Sequence, residues 1–148
     1  MTGVCSTGKI EMVKTLGADQ IIDYTKEDFT LNGQTYDVIF DTVGSSSFSR
    51  CRNSLNSGGI YLTTVPTLEM IPHLINPFKK VGKSIGFAAT ALQSAKKKII
   101  DLEFINQAIE EGSYLPVIDR TYPLEELARA HIYVEEGHKT GDVVITIA

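Results

Sequence analysis

The sequence predicts an α/β fold in which a mostly parallel sheet carries helices on both faces. Apolar runs of strand length alternate with segments of helical period along the whole chain, and Gly, Pro, Ser and Thr residues separate them at turns. With 148 residues and 43% hydrophobic content, the chain is long enough to bury one sizeable core. We therefore expect residues 1–148 to form a single domain.

The predicted strands are short apolar runs, several of them rich in β-branched residues. They cover Thr2 to Cys5, Gln20 to Asp23, Tyr36 to Asp41, Ile60 to Thr64, Ser84 to Ala88 and Val143 to Ile147. A further stretch, Pro116 to Ile118, is predicted as a brief extended piece. Three prolines, Pro66, Pro72 and Pro77, make the segment before the fifth strand irregular.

Four helices are predicted between these strands from apolar periodicity and from start and stop residues. They run from about Lys9 to Leu16, from Gly44–Ser47 to about Leu55, over residues 95–111, and from Pro123 to Gly137. Strands that alternate with helices in this way are typical of parallel sheets.

Charge and composition exclude several classes of function. The net charge is -4, and the basic run Lys96 to Lys98 is offset by the acidic residues after it, so nucleic acid is not an expected partner. No apolar stretch approaches the roughly 20 residues that cross a bilayer. We expect a cytoplasmic protein without a membrane partner.

The cysteine and histidine residues are too scattered to predict a metal site. Cys5 and Cys51 form no C-x-x-C pair, and His73, His131 and His138 have no partner at ligand spacing. The sequence therefore predicts no bound metal.

In an open parallel sheet, ligands bind outside the carboxyl ends of the strands, so the residues after each strand are the candidate site. The first group holds Ser6 and Thr7, with Lys9 close behind. An NAD site usually places a carboxylate here, whereas a ribose 2′-phosphate calls for hydroxyls and a cation, which this group supplies. A capped helix start with a solvated lysine explains the same residues, and the pattern leaves both interpretations open.

A second candidate is the turn that follows Asp41. Gly44 lets the backbone approach a ligand closely, and the helix predicted to begin there would direct its positive end towards the site. An ordinary turn from strand to helix accounts for these residues equally well. Tyr24 and Tyr61 also flank strands, where a tyrosine is more often a packing residue than a proton donor.

Taken in order, these segments resemble the cofactor domain of the medium-chain dehydrogenase/reductase superfamily, in particular its zinc-independent, quinone oxidoreductase-like branch. The similar runs are Gly3 to Thr7, Lys9 to Leu16, Gly17 to Asp19, Ile21 to Tyr24, Tyr36 to Gly44, Gly58–Gly59, Pro116 to Asp119 and Ala130 to His138. The resemblance implies a Rossmann-like domain. It also implies that NADP(H) lies over the strand ends and passes a hydride to a quinone or enone without a metal.

The resemblance also implies which residues contact the cofactor. Ser6, Lys9 and Tyr24 match contacts to the 2′-phosphate, and Thr7 lies among them. The residues that match backbone and nicotinamide-side contacts are Val43, Gly44, Val65 and Phe87. Asp142 stands where the family often has a lysine, so an anchoring role of that lysine is not expected here.

Members of the family begin with a substrate domain and a first Rossmann strand that ends in a glycine-rich turn, whereas this sequence starts at the second strand. We expect a gap between Thr2–Cys5 and Tyr36–Asp41 where the missing strand would lie. Direct pairing of these two strands, the run Val143–Ile147, or a second copy of the chain would fill it. The resemblance further implies a homodimer through the outer strand, Ser84 to Ala88.

Two interpretations of function follow. The first is the cofactor-binding part of an NADPH-dependent oxidoreductase, either a quinone or enone reductase or an alcohol dehydrogenase-like enzyme, that is inactive as an isolated chain. The alternative is a non-catalytic module that binds a nucleotide or dimerises. A flavodoxin-like domain would also fit the alternation of strands and helices, but it explains none of the spacings.

Overall fold

The computed structural model describes residues 1–71, 82–88, 92–137 and 139–147, and the chain divides into two compact units, Met1–Gln93 and Ser94–Ala148. Each unit contains helices and parallel strands, which confirms the predicted α/β class. That residues 1–148 form a single domain stays a prediction. Of the residues discussed above, Pro72, His73, Pro77 and His138 lie outside the described part.

The first unit begins with a two-stranded parallel sheet. Strand β1 (Thr2–Cys5) leads through a 3-10 turn (Thr7–Lys9) into helix α1 (Ile10–Thr15), which returns the chain to strand β2 (Gln20–Asp23). The strands pair from their first residues to their last, so that Cys5 lies opposite Asp23. This pairing brings the residues that follow β1 next to the residues that follow β2.

A three-stranded parallel sheet completes the first unit, in the order β3 (Tyr36–Asp41), β4 (Leu55–Thr63), β5 (Ser84–Phe87). Its core consists of buried side chains from β4 and from the short helix α2 (Phe48–Cys51), with three half-buried side chains against them. The core residues are Phe48, Cys51, Leu55 and Tyr61, and the packed neighbours are Phe29, Ile39 and Ile85. These contacts fix the carboxyl ends of β3, β4 and β5 side by side.

The helix predicted from Gly44–Ser47 to about Leu55 is wrong in both its start and its end. The Ser47 side chain accepts a hydrogen bond from the Arg50 backbone N–H, so the helix begins only at Phe48, and a 3-10 turn (Arg52–Ser54) follows it. Leu55 pairs with Tyr36 and is the first residue of β4. Val38 then pairs with Ile60, so a register shift accommodates the extra residues of β4 between Leu55 and Ile60. Long-range pairing therefore decides this boundary, and local turn residues do not.

The second unit consists of helix α3 (Ala95–Glu110), strand β6 (Ile118–Pro123), helix α4 (Leu127–Glu135) and strand β7 (Asp142–Thr146). Strands β6 and β7 pair in parallel. The predicted brief extended piece at Pro116–Ile118 thus leads into a full strand that begins at Ile118. Pro123 ends that strand and is the N-cap residue of a 3-10 turn (Leu124–Glu126) that leads directly into α4. The helical segment therefore begins after Pro123 as predicted, although its first turn is 3-10.

Among the described strands, β1 pairs with β2 alone and β3 with β4 alone, so the predicted gap between β1 and β3 is present there. Direct pairing of β1 with β3 is therefore wrong, and so is closure by the C-terminal run, since β7 pairs with β6 in a separate two-stranded sheet. Strand β6, the partner of β7, was not predicted in full because half of its residues are polar. Within the described residues, β5 pairs with β4 alone and so forms an edge of its sheet.

Candidate functional site

The eight predicted cofactor residues fall into two groups, each at the carboxyl end of one sheet of the first unit. The group after β1 and β2, here called the β1–β2 end, holds Ser6, Thr7, Lys9 and Tyr24. The group after β3, β4 and β5, called the β3–β5 end, holds Val43, Gly44, Val65 and Phe87. That these residues contact a cofactor stays a prediction.

A buried aspartate organises the β1–β2 end. Asp23, the last residue of β2, is 8% exposed, and the Thr7 hydroxyl donates to its Oδ2 at 2.5 Å. Its Oδ1 accepts from the Thr25 backbone N–H at 3.0 Å and from the Thr25 hydroxyl at 2.7 Å. The Lys26 Nζ lies 3.4 Å from Oδ2. The hydrogen bonds from Thr7 and then Thr25 lower the pKa of Asp23 to about 2, so its carboxylate is ionised at neutral pH.

The same contacts define what the other residues of the β1–β2 end offer to a ligand. The Thr7 hydroxyl gives its only proton to Asp23 and can then only accept a hydrogen bond. Ser6 has extended backbone angles and makes no side-chain capping bond, so it is not the cap that the alternative interpretation required. Tyr24 is 62% exposed, and its backbone N–H donates to the Cys5 carbonyl at 3.1 Å. Among the hydroxyl groups of the β1–β2 end, those of Ser6 and Tyr24 can thus donate a hydrogen bond to a ligand.

A second aspartate organises the β3–β5 end, but it binds backbone groups. Asp41 ends β3, and its Oδ1 accepts from the N–H groups of Val43 and Gly44 at 3.0 and 2.7 Å. Its Oδ2 accepts from the Ser46 N–H at 2.9 Å and from the Tyr61 hydroxyl at 2.8 Å. Three backbone N–H groups of the turn after β3 therefore donate to the same carboxylate, that of Asp41.

Opposite shifts of pKa follow from this geometry. Burial raises the pKa of Asp41, but the hydrogen bonds from the Ser46 N–H, the Tyr61 hydroxyl and the other two amides outweigh burial, so the pKa is lowered. Tyr61 is fully buried, and burial together with the bond to Asp41 raises the pKa of its hydroxyl well above the usual range. Tyr61 therefore stays protonated and acts as a fixed donor to Asp41.

Close packing then sets the position of Gly44. Its φ is +76°, a left-handed conformation that favours glycine, and a Cβ built on it would lie 2.7 Å from the Val65 Cγ2 atom. The loop after β4 is held in turn, because the Thr64 hydroxyl donates to the Thr42 carbonyl at 3.0 Å. Gly44 and Val65 are thus brought into contact, as a shared site requires, while Val43 remains 77% exposed beside them.

The predicted helix N-terminus at Gly44 is absent from the described residues, because α2 starts at Phe48 and has four residues. A helix dipole therefore places no positive charge at this turn. The backbone N–H groups of the turn instead donate their hydrogen bonds to Asp41. Sequence reasoning noted Asp41 as a strand end and Tyr61 as a packing residue, but it missed the bond between them. It missed Asp23 entirely, although aspartate followed by threonine two residues later is a recognisable turn pattern.

Within the described residues, no three His, Cys, Asp or Glu side chains come together as ligands for a metal ion. Both cysteines are free and buried, and burial raises the pKa of the Cys51 thiol. The residues that the structure describes therefore do not fit a zinc site. No helix among them combines the length and apolar character that crossing a membrane requires.

Comparison with known proteins decides the family. A family defined as "Zinc-binding dehydrogenase" matches residues 16–145, most of the chain. The chain belongs to this family. It is thereby part of the medium-chain dehydrogenase/reductase superfamily, as predicted.

Relatives extend this result over nearly the whole chain. A mouse protein named "NAD(P)H oxidoreductase RTN4IP1, mitochondrial" is 31% identical over 170 residues, which cover 99% of this chain and 41% of the relative. The "NADPH-dependent alkenal/one oxidoreductase, chloroplastic" of Arabidopsis thaliana is 28% identical over 98% of this chain and 33% of its own length. The chain thus spans well under half the length of these relatives.

A solved structure confirms the fold. The quinone oxidoreductase from Coxiella burnetii superposes with a TM-score of 0.73 over 99% of this chain and 44% of that structure, at 24% sequence identity. The predicted Rossmann-like class of this family is therefore confirmed.

Proposed function

We propose that this chain is the cofactor-binding part of an NADPH-dependent oxidoreductase that reduces a small quinone or enone. The observation that carries the proposal is the grouping of the predicted contacts at the carboxyl ends of parallel strands, where Rossmann-type domains bind nucleotides. Hydroxyl groups and Lys9 lie at the β1–β2 end, and backbone turns with apolar side chains lie at the β3–β5 end. This division suits a ligand with a phosphorylated ribose at one end and a flat aromatic ring at the other.

The donor set fits the adenosine side of NADPH. Ser6 and Tyr24 would donate hydroxyl protons to the 2′-phosphate, and Lys9 would supply a positive charge. At the other end, Gly44 allows close approach of the backbone, and Val65 and Phe87 would pack against the nicotinamide. The cofactor supplies a hydride for the reduction, and the residues of this chain would bind and orient it.

Calorimetry with NADPH and NADH tests the proposal. We expect tighter binding of NADPH, and Lys9→Ala should weaken it by about tenfold, because a phosphate loses one charged partner. Lys14→Ala, at the end of the same helical segment, is the matched control and should change the affinity little. Equal affinity for the two cofactors, or a preference for NADH, would contradict the proposal.

The quinone or enone substrate is inferred from the resemblance and from the relatives, and catalysis by the chain alone is a separate prediction with its own test. The isolated chain should show no steady oxidation of NADPH with a panel of quinones and enones, because the part of the relatives that this chain does not span is needed to complete the site. Turnover that scales with the amount of purified chain would contradict this. A cytoplasmic location stays a prediction as well.

The alternative is a non-catalytic module that binds a nucleotide or dimerises, and it is favoured by the edge of β5 that pairs with no other described strand. We propose that two copies pair through the Ser84 to Ala88 edge, since an unpaired strand is a template for a second one. Light scattering over a dilution series should then show a dimer at micromolar concentration. A monomer throughout that range would overturn this proposal without affecting cofactor binding.

A further inference from the structure

The β1–β2 end contains one group that opposes the proposed ligand. We propose that Asp23 limits the preference of this site for a 2′-phosphate, by taking the proton of Thr7 and by placing a negative charge beside the phosphate position. The inference rests on the proposed function and deepens it, because it assigns a determinant of cofactor choice to a residue that touches neither the cofactor nor the substrate.

The hydroxyl protons of Thr7 and Thr25 are already used within the protein. The hydroxyls of Thr7 and Thr25 both donate to Asp23, at 2.5 and 2.7 Å. The two hydroxyl oxygens also lie 3.1 Å apart. Each hydroxyl has one proton, and both protons point to the carboxylate. Neither threonine therefore has a donor to offer to a phosphate, which is rich in acceptors.

The negative charge of Asp23 also opposes a bound phosphate. Asp23 is ionised at neutral pH, and it precedes Tyr24 and contacts the neighbour of Ser6, so its charge lies among the residues proposed for the phosphate. Lys26, at 3.4 Å, offsets it only in part because its side chain is 68% exposed and the pair is screened by water. A 2′-phosphate is repelled by this carboxylate, whereas a neutral 2′-hydroxyl is not.

Asp23→Asn separates these effects from loss of the fold. The asparagine Oδ1 can still accept from Thr25, while its amide N–H donates to the Thr7 oxygen and releases the Thr7 proton. The carboxylate charge is removed at the same time. We expect the ratio of affinities for 2′,5′-ADP over 5′-AMP, measured by calorimetry on the full chain, to rise by about tenfold.

The chain contains a matched control. Asp28 accepts from the Thr30 N–H and hydroxyl at 2.9 and 2.7 Å, in the same arrangement that Asp23 has with Thr25. The hydrogen bond from Arg50, and then those from Thr30, lower the pKa of Asp28 to about 2. Asp28→Asn removes an equal charge at an equivalent turn, whose partners Thr30 and Arg50 are not among the proposed phosphate contacts. It should leave the affinity ratio unchanged.

A second variant keeps the inference testable if Asp23→Asn does not fold, which thermal melts by circular dichroism would reveal. Thr7→Val removes an exposed hydroxyl whose proton is already given to Asp23. It should weaken binding of 2′,5′-ADP and 5′-AMP by the same factor, through loss of the link between the two turns. A selective loss of 2′,5′-ADP binding would mean that Thr7 donates to the phosphate, and would overturn the inference.

The outcomes distinguish this inference from the proposed function. If the wild-type chain binds 2′,5′-ADP and the ratio is unchanged or lower in Asp23→Asn, the inference fails alone. If only Asp23→Asn binds 2′,5′-ADP, the inference holds and the proposed function fails for the wild-type chain. If neither protein binds either nucleotide, both fail.

Discussion

Two aspartates end parallel strands in the first unit, and they hold different kinds of donor. Asp23 accepts from the hydroxyls of Thr7 and Thr25 and from one backbone N–H. Asp41 accepts from three backbone N–H groups and from the buried hydroxyl of Tyr61. Both carboxylates have a lowered pKa.

The difference has a structural consequence. Asp41 fixes the path of the main chain, because the amides it binds belong to consecutive parts of one turn. Asp23 fixes side chains and links two turns that follow neighbouring strands. We infer that Asp41 matters more for the stability of the fold and Asp23 more for the choice of ligand.

The largest effect is expected for Asp41→Ala. Three amides and the Tyr61 hydroxyl lose their acceptor, and Tyr61 is fully buried, so the free energy of unfolding should fall by roughly 3 kcal/mol. Urea denaturation followed by circular dichroism measures it. Asp37→Ala, at the exposed start of the same strand, is the control and should cost about 0.5 kcal/mol. Equal losses for the two variants would contradict a special role of Asp41.

A smaller effect is expected for Gly44→Ala. The new Cβ would combine a left-handed backbone with a 2.7 Å approach to Val65, which should cost about 2 kcal/mol. Gly33→Ala has a similar φ of +78° and open space around it, so it should cost only about 1 kcal/mol. The double variant Gly44→Ala/Val65→Ala should recover part of the difference. If it recovers nothing, the contact with Val65 does not position the turn.

Tyr61→Phe removes one of the four donors to Asp41 and keeps the ring in the core. We expect the free energy of unfolding to fall by about 1 kcal/mol, measured by urea denaturation at pH 7. The same substitution should cost nothing further in the Asp41→Ala background, since the acceptor is already gone. Additive losses would show that the Tyr61 hydroxyl acts elsewhere.

The smallest effect is expected on the stability of the chain at acidic pH. The pKa of Asp23 is about 2 in the folded chain, below the value of about 4 for an unfolded aspartate. A lowered pKa contributes stability above about pH 4 that is lost as the pH falls towards 2. Asp23→Asn should therefore flatten the fall of unfolding free energy in this range, as followed by thermal melts. An unchanged slope would mean that Asp23 has no special partners in solution.

Much of the first unit was predictable from local pattern. The strands β1, β2 and β3 agree with their predicted bounds, because each is a short apolar run between polar turns. The boundaries of α2 and β4 were not predictable, since Leu55 joins the sheet through a partner 19 residues earlier in the chain and a register shift. Strand β6 was missed because half of its residues are polar and only its pairing with β7 makes it a strand.

The candidate site was also predictable only in part. The positions of Ser6, Thr7, Tyr24 and Gly44 after strands follow from the rule that ligands bind at the carboxyl ends of parallel strands. Which of their protons are available does not follow from that rule, because it depends on atoms far apart in sequence, such as Thr7 and Asp23.

The sequence by itself determined the α/β class and the ends of the strands at which a nucleotide is expected, because these depend on periodicity and turn residues within short stretches. The family was recognised by resemblance, from the order and spacing of the segments along the chain. The tertiary structure alone decided that β7 pairs with β6, that Asp41 gathers the turn after β3, and that Asp23 takes the proton of Thr7. The physical reason is that hydrogen bonds and strand pairing act over a few ångströms in space. They join residues that no local pattern in the sequence relates.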